Sequence, residues 1–186
     1  MTVKEILILC SSLLDNSDIE NYLNSLECND ETTAKNDCDL LLRCYNLITD
    51  EISREYYLLT TTENFTPIDG VISYEQFTFN PVLIKKVKKI DGSEVSHKIH
   101  PVKIFANESV KVEYAYACPE RTIDEVSDYS FTKISKRILA YGTACEYCLI
   151  KGMFEEGVNF RNKYQSALRG ALQAKKSLKL KQRTWY

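Results

Sequence analysis

The residues with the clearest chemical potential are two cysteines at the spacing Cys-x-x-Cys, Cys145 and Cys148. Thiols at this spacing serve in disulfide exchange or as half of a structural zinc site. A redox motif opens a helix after a strand, whereas this pair lies inside a helical pattern. A zinc site needs two more ligands, and the chain has no second Cys-x-x-Cys. We therefore predict that both side chains lie in a core and bind no metal.

The other candidate groups also favour a structural interpretation. His97 and His100 stand three apart in a predicted strand, so they point to opposite faces and cannot easily share a metal. Glu155 and Glu156 fall in the first turn of a predicted helix, where the helix dipole favours acidic residues. We expect no enzymatic activity and no cofactor. A triad assembled in space cannot be read from spacing, and a cysteine-dependent enzyme is the enzymatic alternative.

Two predicted helices carry these cysteines and glutamates, in the stretch from Ile134 to Leu172. Apolar residues recur there at steps of three and four, which marks one face of a helix. In the first helix they are Ile134, Ile138, Tyr141, Cys145 and Cys148 or Leu149, and in the second Met153 or Phe154, Val158, Arg161, Tyr164, Leu168 and Leu172. We expect Gly152 to end the first helix in a left-handed turn.

Three further helices are predicted in the N-terminal third. Residues 3–14 form a short apolar helix, and residues 18–26 form a second one. Ser17 and Glu20 match a capping box at the start of that second helix. The helix with the strongest period covers residues 34–58.

The sequence takes on strand character between residues 60 and 119. Asp91-Gly92 is a hairpin signal between two predicted strands, Val82–Ile90 and Glu94–His100. Val110–Tyr116 alternates apolar and polar residues, as a half-buried strand does. Four lysines between positions 85 and 89 indicate protection of an exposed edge strand, with a contact to DNA as the minority alternative.

The whole pattern predicts an α+β fold. It is mainly a helical bundle, made of N-terminal helices and a C-terminal helical pair, with a small central antiparallel β module and an extended C-terminal tail. The predicted divisions are 1–59 for the N-terminal helices, 60–119 for the β module, 120–174 for the C-terminal helices and 175–186 for the tail. We expect residues 120–174 to pack with 1–59 as one domain, after a linker at Pro119–Asp128.

Charge is distributed unevenly, although the formal net charge is only −2. Residues 1–70 hold 14 acidic and 4 basic side chains, whereas residues 118–186 hold 7 acidic and 13 basic ones. This asymmetry suits copies that pack head to side, or two ends that meet different partners, and solvated helix faces explain it equally well. Seven cysteines without a secretory signal indicate a reducing cytoplasm, and no apolar stretch has transmembrane length.

The final segment, residues 175–186, contains five basic residues, no acidic one and two terminal aromatics. Aromatic side chains are typical interface anchors, and basic ones steer association with an oppositely charged partner. We predict a docking arm that orders on a partner, made of Lys175, Lys176, Lys179, Lys181, Arg183, Trp185 and Tyr186. A solvated terminus is the alternative.

The order of elements resembles the head–tail connector (adaptor) proteins of tailed bacteriophages. The resemblance covers the whole chain as architecture. Its motifs are Glu63-Asn-Phe-Thr-Pro67 before the β module, Ala140-Tyr-Gly-Thr-Ala-Cys-Glu146 and Phe154-Glu-Glu in the helical pair, and the basic tail. It implies a virion structural protein, assembled in the host cytoplasm, that is not an enzyme and does not associate with a membrane.

Such a protein forms a homo-oligomeric ring, of twelve copies in that family, beneath the portal protein. The ring extends the channel through which DNA passes without sequence specificity, and it offers a platform to the next tail components. The resemblance assigns portal docking to residues 175–186. The alternative from another class is a nucleic-acid-binding regulatory protein whose last helix and basic tail contact phosphates.

Overall fold

The computed structural model describes residues 1–173, which form an α+β fold. The helices are, in chain order, α1 (Val3–Leu13), α2 (Ser17–Leu23), α3 (Glu31–Glu51), α4 (Lys136–Ile150) and α5 (Phe154–Leu172). Between α3 and α4 lie the strands β1 (Leu59–Phe65), β2 (Val71–Ser73), β3 (Pro81–Lys89), β4 (His97–His100), β5 (Lys103–Ala106) and β6 (Val110–Tyr116).

Helix α4 is the centre of the helical part because it is buried on nearly every side. Helices α1, α3 and α5 all pack against it, and the apolar face predicted for it is buried. A side-chain carbon at Gly142 would lie only 2.8 Å from Cγ2 of Ile48 in α3. The two helices therefore approach so closely only because position 142 has no side chain.

The reversal between α4 and α5 follows the prediction. Gly152 has a φ of +77°, its N–H donates to the carbonyl of Leu149 at 3.2 Å, and the Met153 N–H donates to the carbonyl of Cys148 at 2.8 Å. These two bonds form a Schellman motif, which satisfies the last carbonyls of α4.

Helix α5 buries its predicted face only in its second half, at Tyr164 and Leu168, and buries other residues in its first half. The buried side consists of Gly157, Phe160, Tyr164 and Leu168. Phe154 is 66% exposed and Val158 is 53% exposed, and Arg161 also faces solvent. The apolar period at the start of α5 fits either face. Gly157 decides between them, because Leu149 of α4 packs at 3.1 Å from where its Cβ would be.

The N-terminal helices differ from the prediction at their ends. Asn16, not Ser17, caps α2, since its side-chain oxygen accepts the Ile19 N–H at 3.2 Å. Helix α3 begins earlier than expected, with the Asp30 side chain accepting the Thr33 N–H at 3.1 Å. It ends earlier too, in a π-helical turn at Ile52–Tyr56.

The six strands form two antiparallel three-stranded sheets, ordered β1-β6-β3 and β2-β5-β4. The prediction for Val110–Tyr116 is confirmed, since β6 is a central strand with Val110, Val112 and Tyr114 fully buried. The β module has its own small hydrophobic core, which consists of Phe65, Ile72, Phe77, Val87, Ile104, Ala106, Val110, Val112 and Tyr114.

The predicted hairpin at Asp91-Gly92 is wrong in its pairing. The turn itself forms, with the Gly92 N–H donating to the Lys89 carbonyl at 2.9 Å. After a single bridge between Lys88 and Glu94, however, the chain leaves β3. Strand β3 pairs with β6, and β4 pairs with β5 in the other sheet.

The predicted linker at Pro119–Asp128 is instead part of a packed strap, which we define as residues 119–134. Tyr45 of α3 donates from its hydroxyl to Ser127 Oγ at 2.9 Å, and the Tyr129 hydroxyl donates to the Thr49 carbonyl at 3.0 Å. The Arg121 guanidinium binds Asp128 at 2.7 Å. The strap thus ties the N-terminal helices to α4, and all of them share one large core.

Candidate interaction surfaces

The two cysteines of the Cys-x-x-Cys pair lie in the helical core, as predicted. Cys145 is 3% exposed and Cys148 is fully buried. Burial raises the pKa of the Cys148 thiol to about 11, so at neutral pH it is a protonated and poorly nucleophilic group. Six of the seven cysteines are buried, and Cys28 is the half-buried exception.

The histidines and helix-start glutamates occupy the surface positions expected for them. His97 and His100 are both exposed on β4, and Glu155 and Glu156 lie exposed in the first turn of α5. Across the described part of the chain, no three side chains of His, Cys, Asp or Glu are grouped as metal ligands. No helix among residues 1–173 combines the length and apolar composition needed to cross a membrane.

The predicted docking residues Lys175, Lys176, Lys179, Lys181, Arg183, Trp185 and Tyr186 lie outside the described residues. Helix α5, from which that segment continues, is described to its end at Leu172.

The lysines of β3 lie on an edge strand, as predicted. Lys86 binds Glu113 at 3.2 Å, and Lys89 binds Glu108 at 2.7 Å. Lys88 instead stands directly opposite Lys111 of β6, a like-charge pairing that weakens a sheet. The surface above them is a groove of about 340 Å³, lined by Thr62, Lys86, Lys88, Gly92, Lys111 and Glu113.

Helix α5 carries an exposed row that the sequence analysis had partly assigned to the core. We call it the α5 stripe: Phe154, Val158, Arg161, Gln165 and Arg169, all exposed. Their spacing of four, three, four and four residues keeps them on one side of a helix with 3.6 residues per turn. The row is apolar in its first half and basic in its second, and Ile150 at the end of α4 is also 55% exposed. Large apolar side chains grouped in water mark contact surfaces.

A second surface is also partly apolar, but its charged residues are mostly acidic. A groove of about 770 Å³ runs beside α2 and the α2–α3 loop, and we call it the α2 groove. Its apolar lining includes Tyr22, Leu23 and Leu26, the last being 61% exposed. Its acidic lining includes Glu27 and Glu31, which are both exposed.

The strap presents one further apolar side chain, Phe131, which is completely exposed. Its neighbours are held firmly, because Tyr129 and Ile134 are each 1% exposed and the Thr132 N–H donates to the Tyr129 carbonyl at 3.1 Å. Phe131 therefore projects an aromatic side chain into water from an ordered turn.

Sequence reasoning identified none of these three surfaces by residue. The signal for the α5 stripe was present, because Phe154, Val158 and Arg161 follow a helical period. A period alone does not tell whether a stripe faces the core of its own chain or a partner. The uneven charge of the N-terminal and C-terminal thirds of the chain did not locate either charged surface.

The comparisons with known proteins add no family. A scan against protein-family models finds no match, and a search of curated proteins finds no similar chain.

Proposed function

We propose that this protein is a virion structural protein that forms a homo-oligomeric ring between the portal and the tail of a tailed phage. About twelve copies would extend the DNA channel and present a platform to tail components. The proposal rests on the order of elements, which resembles that of head–tail adaptors, and on surfaces suited to self-assembly. It assigns the protein no catalytic role.

The observation that carries the proposal is the complementarity between the α5 stripe and the α2 groove. The stripe offers Phe154 and Val158 followed by Arg161 and Arg169, all exposed. The groove offers apolar walls and the carboxylates of Glu27 and Glu31. A ring requires one patch of a subunit to meet a different patch of the next, and these two differ in sign and match in apolar character.

A charge swap tests this contact. Arg161→Glu with Arg169→Glu places like charges against the groove, and so does Glu27→Arg with Glu31→Arg in the partner surface. We expect either double variant to abolish ring assembly in mass photometry and negative-stain images. Combining all four substitutions restores opposite charges and should restore rings, since a lost ion pair is recovered only if the two surfaces meet.

Lys163→Glu is the control for the single variant Arg161→Glu, because it makes the same charge change on α5 about 160° round the helix. It should assemble like the unmodified protein. Rings that survive both charge reversals, or a quadruple variant that stays monomeric although folded, would contradict the proposed contact.

The proposal also gives residues 175–186 the role of an arm that docks in the portal, with Trp185 and Tyr186 as anchors and the five basic residues as steering charges. Removing Ser177–Tyr186 should abolish binding to purified portal while the circular dichroism spectrum is kept. Full binding by the truncated chain would remove the docking arm from the proposal.

The second candidate function is nucleic-acid binding, and Lys88 opposite Lys111 favours it. An anion in the groove above them would relieve their repulsion, and a phosphate backbone supplies such anions. The expected result is duplex DNA binding that weakens steeply with salt and drops in Lys88→Gln. A gel shift that shows no binding at low salt would eliminate this candidate.

A further inference from the structure

The two edges of the sheet β1-β6-β3 are built in opposite ways. Strand β3 begins with Pro81, carries four lysines, and has two register shifts against β6. Strand β1 has seven residues in unbroken register with β6 and contains neither proline nor lysine. Proline, lysine and bulges are the devices by which edge strands avoid pairing with other chains. One edge is therefore protected and the other is not.

The outer edge of β1 is available for pairing. Strand β1 is an end strand of its sheet, and no backbone hydrogen bond among residues 1–173 joins it to any strand except β6. Its single charged residue, Glu63, does not protect the edge. The Glu63 carboxylate accepts the Tyr114 hydroxyl and the Thr78 N–H, so it is engaged within its own β module.

The sequence of β1 is complementary to itself when two copies run antiparallel about Thr62. Leu59 then faces Phe65, Thr60 faces Asn64, Thr61 faces Glu63, and Thr62 faces Thr62. All seven residues are paired, no like charges stand opposite each other, and Leu59 and Phe65, whose side chains are buried in their own chain, face each other at both ends. A centre at Glu63 would oppose two carboxylates, and a centre at Thr61 would set Leu59 against Glu63.

We propose that β1 is a self-association site, at which two copies pair antiparallel about Thr62. The product is a continuous six-stranded sheet, β3-β6-β1-β1-β6-β3, across a two-fold axis. The β1 pairing goes beyond the ring proposed above, because it is symmetric and uses no residue of the α5 stripe or the α2 groove.

Disulfide trapping tests the register of the pair. In a Cys28→Ser background, which removes the one native thiol that is not buried, Thr62→Cys brings two thiols face to face. Paired Cα atoms in antiparallel strands lie about 4.5–5.5 Å apart, within disulfide reach. Thr60→Cys is the matched control on the same solvent-facing side. It sits four residues from its own copy, about 13 Å at the rise of a strand, and is too far.

We expect Thr62→Cys to give roughly tenfold more cross-linked dimer than Thr60→Cys under mild oxidation, since only the first pair satisfies disulfide geometry. An equal mixture of Thr60→Cys and Asn64→Cys chains should cross-link to about half the extent of Thr62→Cys, because only mixed pairs place the two cysteines opposite each other. Equal yields at positions 60 and 62, or no dimer at either, would overturn the proposal.

A second pair of variants checks the association without cysteine. Thr62→Lys sets two lysines opposite each other in the dimer, while within its own sheet residue 62 faces Glu113 and the fold is kept. In the Arg161→Glu/Arg169→Glu background, where no rings form, sedimentation velocity should show Thr62→Lys as monomeric at concentrations where Thr62→Val dimerises. Equal association of the two variants would also count against β1.

The ring and the β1 pair can be tested independently of each other. Arg161→Glu with Arg169→Glu should leave the Thr62→Cys cross-link unchanged while removing rings. In the chain without these charge reversals, a cross-link without rings refutes only the ring, and rings without a cross-link refute only the β1 pair.

Discussion

The helical part and the β module of this protein are held together by different means. The helical core joins five helices and the strap, and buried polar bonds lock it, such as Tyr45 to Ser127 and Tyr129 to Thr49. The β module has a smaller core, and its ion pairs, such as Lys86 with Glu113, lie at the surface. We therefore expect most of the stability to lie in the helical part and the β module to open at lower free energy.

Two large-to-small substitutions test this difference in stability between the helical part and the β module most directly. Leu139 in α4 and Val112 in β6 are both fully buried. Leu139→Ala should cost about 4 kcal/mol of unfolding free energy, and Val112→Ala about 2 kcal/mol, from lost burial plus the cavity. Urea unfolding gives the totals, and hydrogen exchange shows where they act.

We expect Leu139→Ala to accelerate amide exchange only in the helical part, because the strands already exchange through their own opening at lower free energy, and Val112→Ala to accelerate it only in the strands. Acceleration of α4 exchange by Val112→Ala, equal to that in β6, would mean that the two parts unfold as one unit.

The next largest effect on stability is expected in the strap. Arg121 is held between Asp128 and Glu125, and the Asp128 side chain is only 9% exposed. Arg121→Met leaves that carboxylate without its partner and should cost about 3 kcal/mol in urea unfolding. Adding Asp128→Asn should recover part of the loss. The control is Arg54→Met in the exposed pair with Asp50, which should change stability by less than about 0.5 kcal/mol.

The features that could be predicted from the sequence are those determined by residues close together in the chain. The buried face of α4, the left-handed Gly152 and the central strand β6 all follow from local period or turn chemistry. The strap could not be predicted, because Tyr129 is fixed by a bond to Thr49, 80 residues away. The hairpin prediction failed for the same reason, since β3 finds its partner in β6, beyond two intervening strands.

The candidate surfaces were less predictable than the fold. Phe154 and Val158 fit an apolar period as well as true core residues do, and only the packing of Leu149 against Gly157 turns them outward. The open edge of β1 is visible only when its neighbour is known to be β6 alone. Sequence patterns specify which residues are apolar. Which apolar surfaces and strand edges are left without a partner is determined only by the folded chain.

Two glycines in helices allow a tightly packed position to be compared with a loosely packed one within the helical part. Gly142→Ala drives a methyl group against Ile48 and should cost about 1–2 kcal/mol, as overpacking does. Gly170→Ala meets nothing within 4 Å and should gain about 0.5–1 kcal/mol from helix propensity. Thermal unfolding of the two variants should shift in opposite directions. A stabilising Gly142→Ala would show that α3 and α4 separate easily.

The effect that is smallest near neutral pH is a pH dependence that belongs to the thiols of the helical core. Burial raises the pKa of Cys148 to about 11 and that of Cys44 to about 12, from an ordinary value of 9.0. Above pH 9 the unfolded chain loses these protons while the folded chain keeps them, so unfolding is favoured as pH rises from 9 towards 12. The urea midpoint should therefore fall over that range, and the fall should be shallower in a Cys44→Ala/Cys148→Ala variant. An unchanged slope would mean that these thiols reach water in the folded protein, and the helical core would then be as loosely held as the β module.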